Sequence, residues 1–474
     1  MPLDERLSFD ADFPRNIDLP GETAPISADS IMALLPESAL HVLHTLESSG
    51  FEAWFVGGFV RDALLGRSCS DIDIASSAPW QEAQRVFEAA GLRTRETGTA
   101  HGTLTVLDGD DAFEVTTYRR DGAYADSRHP KSVEFVSSIE EDLARRDFAM
   151  NAIAFHPEHG LLDPYGGIAD LRAKTIRAVG DPGKRFSEDA LRILRACRFA
   201  AQLGFEIDDA TLFGMLSNKG IVYRVSAERV THELDLLLTA PFAGSALVKY
   251  VDVLACVLPE LIAMKGFEQH TPYHIYDVLE HTAHVVDGVP PYRLVRWAAL
   301  FHDMGKPACF FFGENGVGHF YGHANVSVVL ARGVMSRLKM SPAFANRVLT
   351  LVKHHDEVVE PTPRAVKRML ARLDGNVELF HALCDLKRGD ARGQAPQCAG
   401  RVDAAFELER VLADIQAQNE AFTLQNLAID GRDVMGAGIA PGPEVGRALA
   451  RALDAVIDEK VPNEKAALLA YLAH

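Results

Sequence analysis

Two carboxylates one residue apart, Asp71 and Asp73, form the first pattern in the sequence that could carry out chemistry. Alternate side chains of a strand share one face, so both carboxylates would point the same way while Ile72 and Ile74 enter the core. Adjacent carboxylates repel one another unless a cation lies between them, and hard oxygen ligands suit Mg²⁺. We therefore predict a Mg²⁺ site here, with two surface acids on an exposed strand edge as the alternative.

The segment before these acids could bind a phosphate. WFVGGFVRDALLG predicts a strand, a Gly-Gly turn and a helix that begins near Phe59. Backbone N–H groups at such a helix start, with the guanidinium of Arg61, suit a phosphate, although many Gly-Gly turns are only tight turns. Glu114, in AFEVTTYR, falls on a predicted neighbouring strand. It could supply a third carboxylate or simply face solvent.

Several elements must position these residues. At about 150 residues per domain, a chain of 474 residues predicts roughly three domains. Short β-rich runs alternate with helical stretches up to about residue 177, and helical periodicity then continues almost to the end. The predicted regions are a flexible N-terminal arm (1–30), a mixed α+β head (31–177), a helical neck (178–272), a histidine-rich helical domain (273–395) and a helical tail (396–474).

Composition excludes several classes of protein. Apolar residues make up 47% and charged residues 24%, which excludes a disordered or fibrous chain. We expect no membrane span and no secretory signal, and six cysteines without a CxxC pair favour a reducing cytoplasm. The net charge of −18 argues against a broad nucleic-acid surface. The stretch from Arg172 to Arg198 nevertheless holds eight basic and three acidic residues, which is enough for a local phosphate-binding stripe.

Five segments, in order, resemble the motifs of one family. VGGFVRDALLG with DIDIA is similar to the signature of the polymerase-beta-like nucleotidyltransferases. More narrowly it resembles the class II tRNA nucleotidyltransferases, which comprise CCA-adding enzymes and bacterial poly(A) polymerases. The resemblance covers about residues 50–240 and implies a polymerase-beta-like head followed by a mostly all-α neck, body and tail. The other matching segments are a flexible loop (RDGAYADSRHP, 120–130), a ribose-reading motif (ARRDFAMNAIA, 144–154), a nucleobase-reading helix (SEDALRILRACRFAAQLGF, 187–205) and a supporting helix (SAERVTHEL, 226–234).

The resemblance implies that the 3′ end of tRNA receives nucleotides from CTP and ATP, with release of pyrophosphate. Two metal ions can stabilise the attacking and leaving oxygens of such a transfer. Asp147 and Asn151 could contact the ribose, or equally hold the adjoining helix. The remaining implied roles are metal binding by Asp71 and Asp73, triphosphate binding by Gly58 and Arg61, and a position near the sugar and phosphates for Arg146.

The implied nucleobase-reading helix is predicted to begin at Glu188, and it carries Asp189, Arg192, Arg195 and Arg198 at every third position. Adenine and cytosine present an amino donor beside a ring-nitrogen acceptor, whereas guanine and uracil present the reverse. An Asp acceptor beside an Arg donor would therefore pair with ATP or CTP and reject GTP and UTP. The resemblance assigns this role to Asp189 and Arg192, with Arg195 and Arg198 against phosphate or base. A charged solvent face with i,i+3 pairs is the alternative. Glu228, Arg229 and Glu233 are expected to brace this helix rather than touch substrate.

Five segments of the histidine-rich region resemble an HD-superfamily metal phosphohydrolase domain: HIYDVLEHT (274–282), LFHDMGKP (300–307), GHANVS (322–327), KHH (353–355) and LKRGDARG (386–393). The expected activity is hydrolysis of phosphomonoesters or cyclic phosphodiesters. Mixed nitrogen and oxygen ligands suit Mn²⁺, Ni²⁺ or Co²⁺, and the sequence does not choose among them. The implied ligands are His281, His302, Asp303 and Asp390, with His323 and His354 as added ligands or phosphate contacts.

These expectations leave rival functions open. CC-only enzymes lack the segment resembling Asp121–Pro130, so its presence favours addition of the terminal A. An A-adding specialist or a poly(A) polymerase is the nearest rival, and an HD hydrolase with a non-catalytic nucleotide-binding head is a rival of another class. Residues 427–453 resemble a tRNA-contacting tail, although a helix–turn–helix packing unit explains them equally well. The oligomeric state stays undetermined.

Overall fold

The computed structural model of the chain describes residues 28–67, 69, 71–99, 102–121, 133–418 and 420–473. Residues 1–27 of the predicted arm and residues 122–130 of the predicted loop lie outside this description. The structure divides into two compact units, the first ending at Glu188 and the second beginning at Asp189. Residues 178–188, which the sequence pattern assigned to the neck, thus group with the first unit.

A seven-stranded mixed sheet forms the centre of the first unit, in the order β3-β4-β5-β2-β1-β8-β9. Strands β2 and β5 are parallel, and every other neighbouring pair is antiparallel. Strands β6 and β7 form a separate ribbon. The strands are β1 (Ala53–Val56), β2 (Asp73–Ser76), β3 (Arg93–Gly98), β4 (Thr103–Asp108), β5 (Asp111–Thr117), β6 (Arg119–Asp121), β7 (Val133–Phe135), β8 (Ala154–His156), β9 (Gly160–Leu162) and β10 (Thr175–Ile176).

Short helices connect and cover these strands. Central strand β1, AWFV, is buried at all four positions, so its continuous apolar run belongs to the core. Trp54 and Val56 of that strand pack with Ala75, Tyr118 and Leu143. The helices are α1 (Ala28–Met32), α2 (Glu37–Glu47), α3 (Gly58–Leu64), α4 (Trp80–Ala89), α5 (Ile139–Ala144), α6 (Gly167–Arg172) and α7 (Pro182–Glu188), with a 3₁₀ turn at Ala149–Asn151.

The second unit is almost entirely helical. It has only short β pieces, β11 (Glu206–Ile207), β12 (Phe311–Phe312) and β13 (Gly318–His319). Short 3₁₀ turns lie at Lys219–Arg224, Pro259–Ala263, Pro396–Cys398 and Leu424–Asn426. The helices are α8 (Leu191–Leu203), α9 (Asp209–Asn218), α10 (Ala227–Leu238), α11 (Ala243–Lys249), α12 (Val251–Leu254), α13 (Val278–Gly288), α14 (Arg293–Phe301), α15 (Lys306–Cys309), α16 (His323–Arg337), α17 (Pro342–His354), α18 (Pro363–Arg372), α19 (Val377–Arg392), α20 (Gly400–Ala417), α21 (Gly431–Gly436), α22 (Pro443–Ile457) and α23 (Lys465–Leu472).

These helices pack into a core around α14 and a separate apolar cluster. Helix α14 packs against α13, α17 and α19, and its Trp297 and Phe301 are fully buried. Helices α21 to α23 share a separate apolar cluster that includes Val434, Ala452 and Leu468. The predicted fold class, an α+β head followed by a mostly helical remainder, is confirmed. Among the described residues, none of the helices combines the length and apolar character needed to cross a bilayer.

Candidate nucleotide and metal sites

The Gly-Gly turn between β1 and α3 lies directly against Asp73. Gly57 has a φ of +75°, a backbone conformation that favours glycine. A Cβ built on Gly57 would lie 3.0 Å from Nη1 of Arg146 and 3.4 Å from Oδ2 of Asp73. The turn therefore needs glycine twice, for its backbone angle and for the close approach of two charged side chains.

Asp73 is the first residue of β2 and stands in register with Glu114 of the parallel strand β5. Burial raises the pKa of Asp73 to about 6, Arg146 opposes the rise, and Glu114 and Asp71 add to it. A divalent cation relieves the repulsion on a buried carboxylate that stands beside other acids. The oxygen donors fit Mg²⁺.

The other two carboxylates are exposed. Asp71 precedes β2 and does not lie on it, so the expectation that both acids share one strand face is wrong for Asp71. The strand begins only at Asp73 because its pairing with β1 ends at Val56. Glu114 lies on the strand neighbouring β2, as predicted, and its side chain is solvent-exposed. Its position is thus compatible both with a third carboxylate beside Asp73 and with a side chain that faces solvent.

Arg146 is held in place by a buried carboxylate. Its Nη2 donates to Oδ2 of Asp142 at 3.0 Å, and Nη2 of Arg145 donates to the other oxygen at 2.7 Å. Asp142 is completely buried, which disfavours its charge, yet the two guanidinium groups lower its pKa below the usual range. Asp142 on α5 thus fixes the cation that faces Asp73.

Arg61, by contrast, is engaged within the unit. It is 9% exposed, donates twice to the carboxylate of Asp62, and donates from Nη1 to Oδ1 of Asn151 at 2.7 Å. Asn151 in turn donates to Oδ1 of Asp147 at 2.9 Å. Of the two open roles for Asp147 and Asn151, this geometry favours holding the turn and helix over contacting a ribose. Gly58, the other implied triphosphate contact, begins α3.

In the second unit, Asp189 lies in a break between two helices. The sequence predicts one helix from Glu188, but α7 ends at Glu188 and α8 begins at Leu191. Oδ1 of Asp189 accepts from the backbone N–H of Leu191 at 3.0 Å, and its Oδ2 accepts from Nη2 of Arg229 at 3.1 Å. The backbone N–H of Arg192, one turn on, donates to the carbonyl of Asp189. Arg192 is 8% exposed.

The other two arginines of α8 face α10. Arg198 lies 3.0 Å from the carboxylate of Glu233 and Arg195 lies 3.8 Å from it, and Glu233 is 3% exposed. Arg198 also stacks over the ring of Phe199 at 4.2 Å. Glu233 and Arg229 therefore brace this segment. Glu228 does not, because it pairs with Lys339 at 3.1 Å.

A second cluster of candidate ligands lies within the histidine-rich helices. Potential ligand atoms of His281, His302 and Asp390 lie within 4.8 Å of one another. Nε2 of His281 is 3.3 Å from Nε2 of His302 and 3.1 Å from Oδ1 of Asp390. These residues come from α13, the end of α14 and α19, so three elements converge on one point.

Asp303 belongs to a neighbouring group with His323 and His355. Its Oδ1 lies 3.3 Å from Nε2 of His323, while its Oδ2 lies 3.1 Å from Nε2 of His302 in the first group. The carboxylate of Asp303 thus reaches both groups. The sequence favoured His354 as the added residue, but His354 contacts Glu357 at 2.7 Å and His355 takes the inward position.

Every imidazole in the two groups is oriented in the same way. Each Nδ1 lies 2.7–3.0 Å from a backbone carbonyl, which leaves Nε2 as the inward atom: His281 with Gly393, His302 with Ala299, His323 with Phe320 and His355 with Val352. An Nδ1–H bond to a carbonyl is the usual partner of a metal-ligating histidine. The donor set fits one or two divalent cations.

Lys306 is a member of the cluster that the sequence analysis did not single out. It is 5% exposed, and its Nζ lies 2.6 Å from Oδ2 of Asp303 and 2.8 Å from Oε1 of Gln269. Burial disfavours the charge of Asp303, yet His302 and Lys306 hold its pKa well below the usual range. The GK after the His-Asp doublet was the available signal for Lys306. For Gly57, the available signal was its place in the Gly-Gly turn.

The fold and these sites define the chain as a nucleotidyltransferase with an added HD domain. Residues 53–177 match the model of the poly A polymerase head domain, residues 272–385 match the HD domain, and residues 393–472 match tRNA nucleotidyltransferase domain 2.

Comparison with whole proteins narrows the class. The CCA-adding enzyme of Levilactobacillus brevis is 34% identical over 443 residues, which cover 92% of this chain and 96% of that protein. The crystal structure of the Bacillus stearothermophilus CCA-adding enzyme in complex with CTP matches with 31% identity and a TM-score of 0.69 over 92% of this chain and 96% of that one. A Thermotoga maritima CCA-adding enzyme complexed with tRNA, 19% identical with a TM-score of 0.58 over 94% of this chain and 97% of that one, shares the fold. The chain belongs to the CCA-adding enzymes, a family of tRNA nucleotidyltransferases.

Proposed function

We propose that this chain builds or repairs the 3′-terminal CCA of tRNA from CTP and ATP without a nucleic-acid template. Family membership supports the activity. The observation that carries it is the placement of Asp73 beside Glu114 with Arg146 fixed against Gly57. This arrangement offers carboxylates for a cation and a cation for a phosphate at the same turn.

Each head residue has a separate task in the transfer. The tRNA 3′-oxygen bonds to the α-phosphorus of the nucleotide, the bond to the β-phosphate bridging oxygen breaks, and pyrophosphate leaves. Asp71 and Asp73, with Glu114 nearby, would hold Mg²⁺, which would supply positive charge at the attacking and leaving oxygens. Arg146 and the backbone of Gly58 hold the triphosphate, and Arg61 keeps α3 and Asn151 in position.

Base selection belongs to the second unit in this proposal. The carboxylate of Asp189 accepts from the amino group of adenine or cytosine, and Arg192 donates to the adjacent ring nitrogen. Arg195 and Arg198 act as positioning residues, because both contact Glu233 and keep α8 against α10. Guanine and uracil present the opposite pattern and are rejected.

End-sequencing of a tRNA transcript that lacks CCA tests this function. The transcript is incubated with the purified protein, Mg²⁺ and all four nucleotides. A product that ends in CCA and stops there is the expected result. A single A added only to tRNA ending in CC would instead mean an A-adding specialist, and a long A tract would mean a poly(A) polymerase.

Two variants distinguish a role of Asp73 in nucleotide incorporation from a general loss of folding. Asp73→Asn is expected to abolish incorporation of both nucleotides. Glu96→Gln, an exposed acid on edge strand β3, is the matched control and should retain wild-type incorporation. Incorporation by Asp73→Asn at the wild-type rate would contradict the assigned role.

A second activity, hydrolysis of phosphate esters, is favoured by the convergent imidazoles of the HD domain. Divalent ions held by His281, His302, Asp303 and Asp390, with His323 and His355 beside Asp303, would supply a Lewis acid and an activated water. Mn²⁺, Ni²⁺ and Co²⁺ all suit these ligands. In the reaction a water oxygen bonds to phosphorus, one ester P–O bond breaks, and the departing oxygen takes a proton.

Cleavage of a nucleoside 2′,3′-cyclic phosphate, measured with each of these metals, tests the HD domain. His302→Ala and Asp303→Ala are expected to lose the activity. His284→Ala is the control, because His284 is an exposed histidine on α13 that stacks on Tyr276. Unchanged rates in both ligand variants would rule out this function.

A further inference from the structure

A short hairpin beside the HD cluster carries an exposed row of aromatic rings. Phe311 of β12 pairs directly across from His319 of β13, and Tyr321 follows two residues later. Side chains two residues apart on an extended chain share a face, so these three lie together. The His319 and Tyr321 rings stack at 5.2 Å and 24°, and the Phe311 ring lies 5.5 Å from each. We call these three residues the aromatic face.

The aromatic face is open to solvent. Tyr321 is 75% exposed and Phe311 is 43% exposed. Exposed aromatic groups that are clustered, stacked and ordered indicate a contact surface more than scattered apolar residues do. The rings have polar edges, the imidazole of His319 and the hydroxyl of Tyr321, which suit a ligand that is flat and partly polar.

The opposite side of the hairpin fixes the aromatic face in position. The ring of Phe310 packs against those of Phe267, Phe312 and Phe320 at 4.9–5.5 Å. The imidazole of His319 lies so close to Gly313 that a Cβ there would be 2.6 Å from its Nε2. The aromatic face is therefore a built feature with a preset geometry.

The same segment leads directly into the metal cluster. His323, a candidate ligand, follows Tyr321 by two residues, and its Nδ1 bonds the carbonyl of Phe320 at 2.9 Å. The ring of Phe320 lies 5.3 Å from Nζ of Lys306, which contacts Asp303 at 2.6 Å. The aromatic face is thus connected to the HD cluster by one ring and one backbone segment.

We propose that the aromatic face is a nucleobase-binding subsite of the HD centre, on which the base of a nucleotide or RNA 3′ end stacks while its phosphate reaches the metal ligands. This inference rests on the phosphohydrolase function proposed above. Base stacking on aromatic side chains tolerates every base, because each has a π-face. The HD centre then prefers nucleotide phosphates over phosphate esters that lack a base, without a preference for A or C.

Two substrates that differ in the base test the subsite. Guanosine 2′-monophosphate and glycerol 2-phosphate are both phosphomonoesters of a secondary alcohol, and guanine is a base that the proposed transferase site rejects. Tyr321→Ala is expected to raise KM for the guanosine ester about 10-fold, with kcat and the glycerol ester unaffected. Tyr321→Phe should restore the wild-type KM because it keeps the ring.

Tyr223→Ala is the matched control, since Tyr223 is also 75% exposed but lies at Lys219–Arg224. An equal loss on both substrates in Tyr321→Ala would show a structural role at the metal cluster and overturn the subsite. An unchanged KM for the guanosine ester would overturn it as well and leave the aromatic face to a protein partner.

Direct binding distinguishes failure of the subsite from failure of the hydrolase. If the wild-type protein hydrolyses neither ester, the phosphohydrolase proposal fails, and equilibrium dialysis with guanosine 2′-monophosphate then tests the subsite alone. Weaker binding by Tyr321→Ala than by wild type and Tyr223→Ala supports the subsite. Equal binding by all three proteins contradicts it.

Discussion

Individual charged side chains in this chain are oriented by charged partners. Asp142 holds Arg146, Glu233 holds Arg198, and Arg229 holds Asp189. A charge-assisted hydrogen bond fixes the direction of a group that must recognise a flat base or a phosphate. Loss of Arg229 should therefore alter base selectivity, whereas loss of the fully buried Asp142 should also lower stability.

Arg229→Ala tests this principle at Asp189. Without the contact at 3.1 Å, the carboxylate keeps only its bond from the Leu191 N–H, and discrimination against GTP and UTP should fall about 10-fold, the effect of one lost hydrogen bond to a charged group. Competition assays with all four nucleotides give the ratio. Glu228 lies beside Arg229 on α10 and forms an exposed ion pair with Lys339. Glu228→Gln removes this pair and should leave the ratio unchanged.

Arg192→Ala is the companion variant. It removes the proposed donor to the ring nitrogen, so base choice should relax while affinity for tRNA changes little. Incorporation ratios are measured beside a tRNA-binding titration. Identical ratios in variant and wild type would refute the template role of Arg192.

At the scale of elements, the turn between β1 and α3 restricts which residue can occupy position 57. Gly57→Ala should reduce both incorporation and stability, since a Cβ at φ +75° would also press on Arg146. Strain of this kind costs about 1–3 kcal/mol. Gly50→Ala offers a matched control, because Gly50 has φ +87° and open space around it. Thermal unfolding should shift similarly in both, with incorporation lost only in Gly57→Ala.

Helix α5 supplies a pH-dependent contribution to stability. The pKa of Asp142 is lowered in the folded state, so its charge stabilises the fold above the unfolded value of about 4, and this stabilisation is lost as pH falls toward the folded pKa. Asp142→Asn should unfold at a lower denaturant concentration at pH 7. The expected loss in the free energy of unfolding is about 3 kcal/mol, with a smaller difference at pH 3. Glu141→Gln, at a half-exposed position on the same helix where the pair with Arg120 at 3.3 Å is open to solvent, should show neither effect to a comparable degree.

Sequence reasoning located elements better than it located their ends. The strand, turn and helix around Gly57 follow from an apolar run and two glycines. The break at Asp189 does not, because Ser187 to Arg195 contains no glycine or proline, and the break depends on the Asp189 side chain and its partner Arg229. His354 and His355 differ by 100° around a helix, so only the packing of α17 decides which one faces inward.

Across the whole molecule, the two proposed chemistries rely on separate residues. Asp73→Asn should lose nucleotide incorporation and keep phosphate-ester hydrolysis, whereas His302→Ala should do the reverse. Both activities are assayed on the same two preparations. Loss of both activities in either variant would contradict independent sites, and the HD hydrolase with a non-catalytic head predicts no incorporation by wild type at all.

Four backbone carbonyls hold the imidazoles of the HD cluster, and this determines which residues around the cluster can differ between related chains. A carbonyl belongs to the main chain, so replacing Ala299, Phe320 or Val352 changes a side chain and preserves the acceptor. Gly393 is the exception, because a Cβ there would lie 3.1 Å from Nδ1 of His281. The acceptors that orient the imidazoles thus survive a change of side chain, so related chains could differ at these three positions, within the space that the buried Ala299 and Val352 allow, while the histidines keep their orientation.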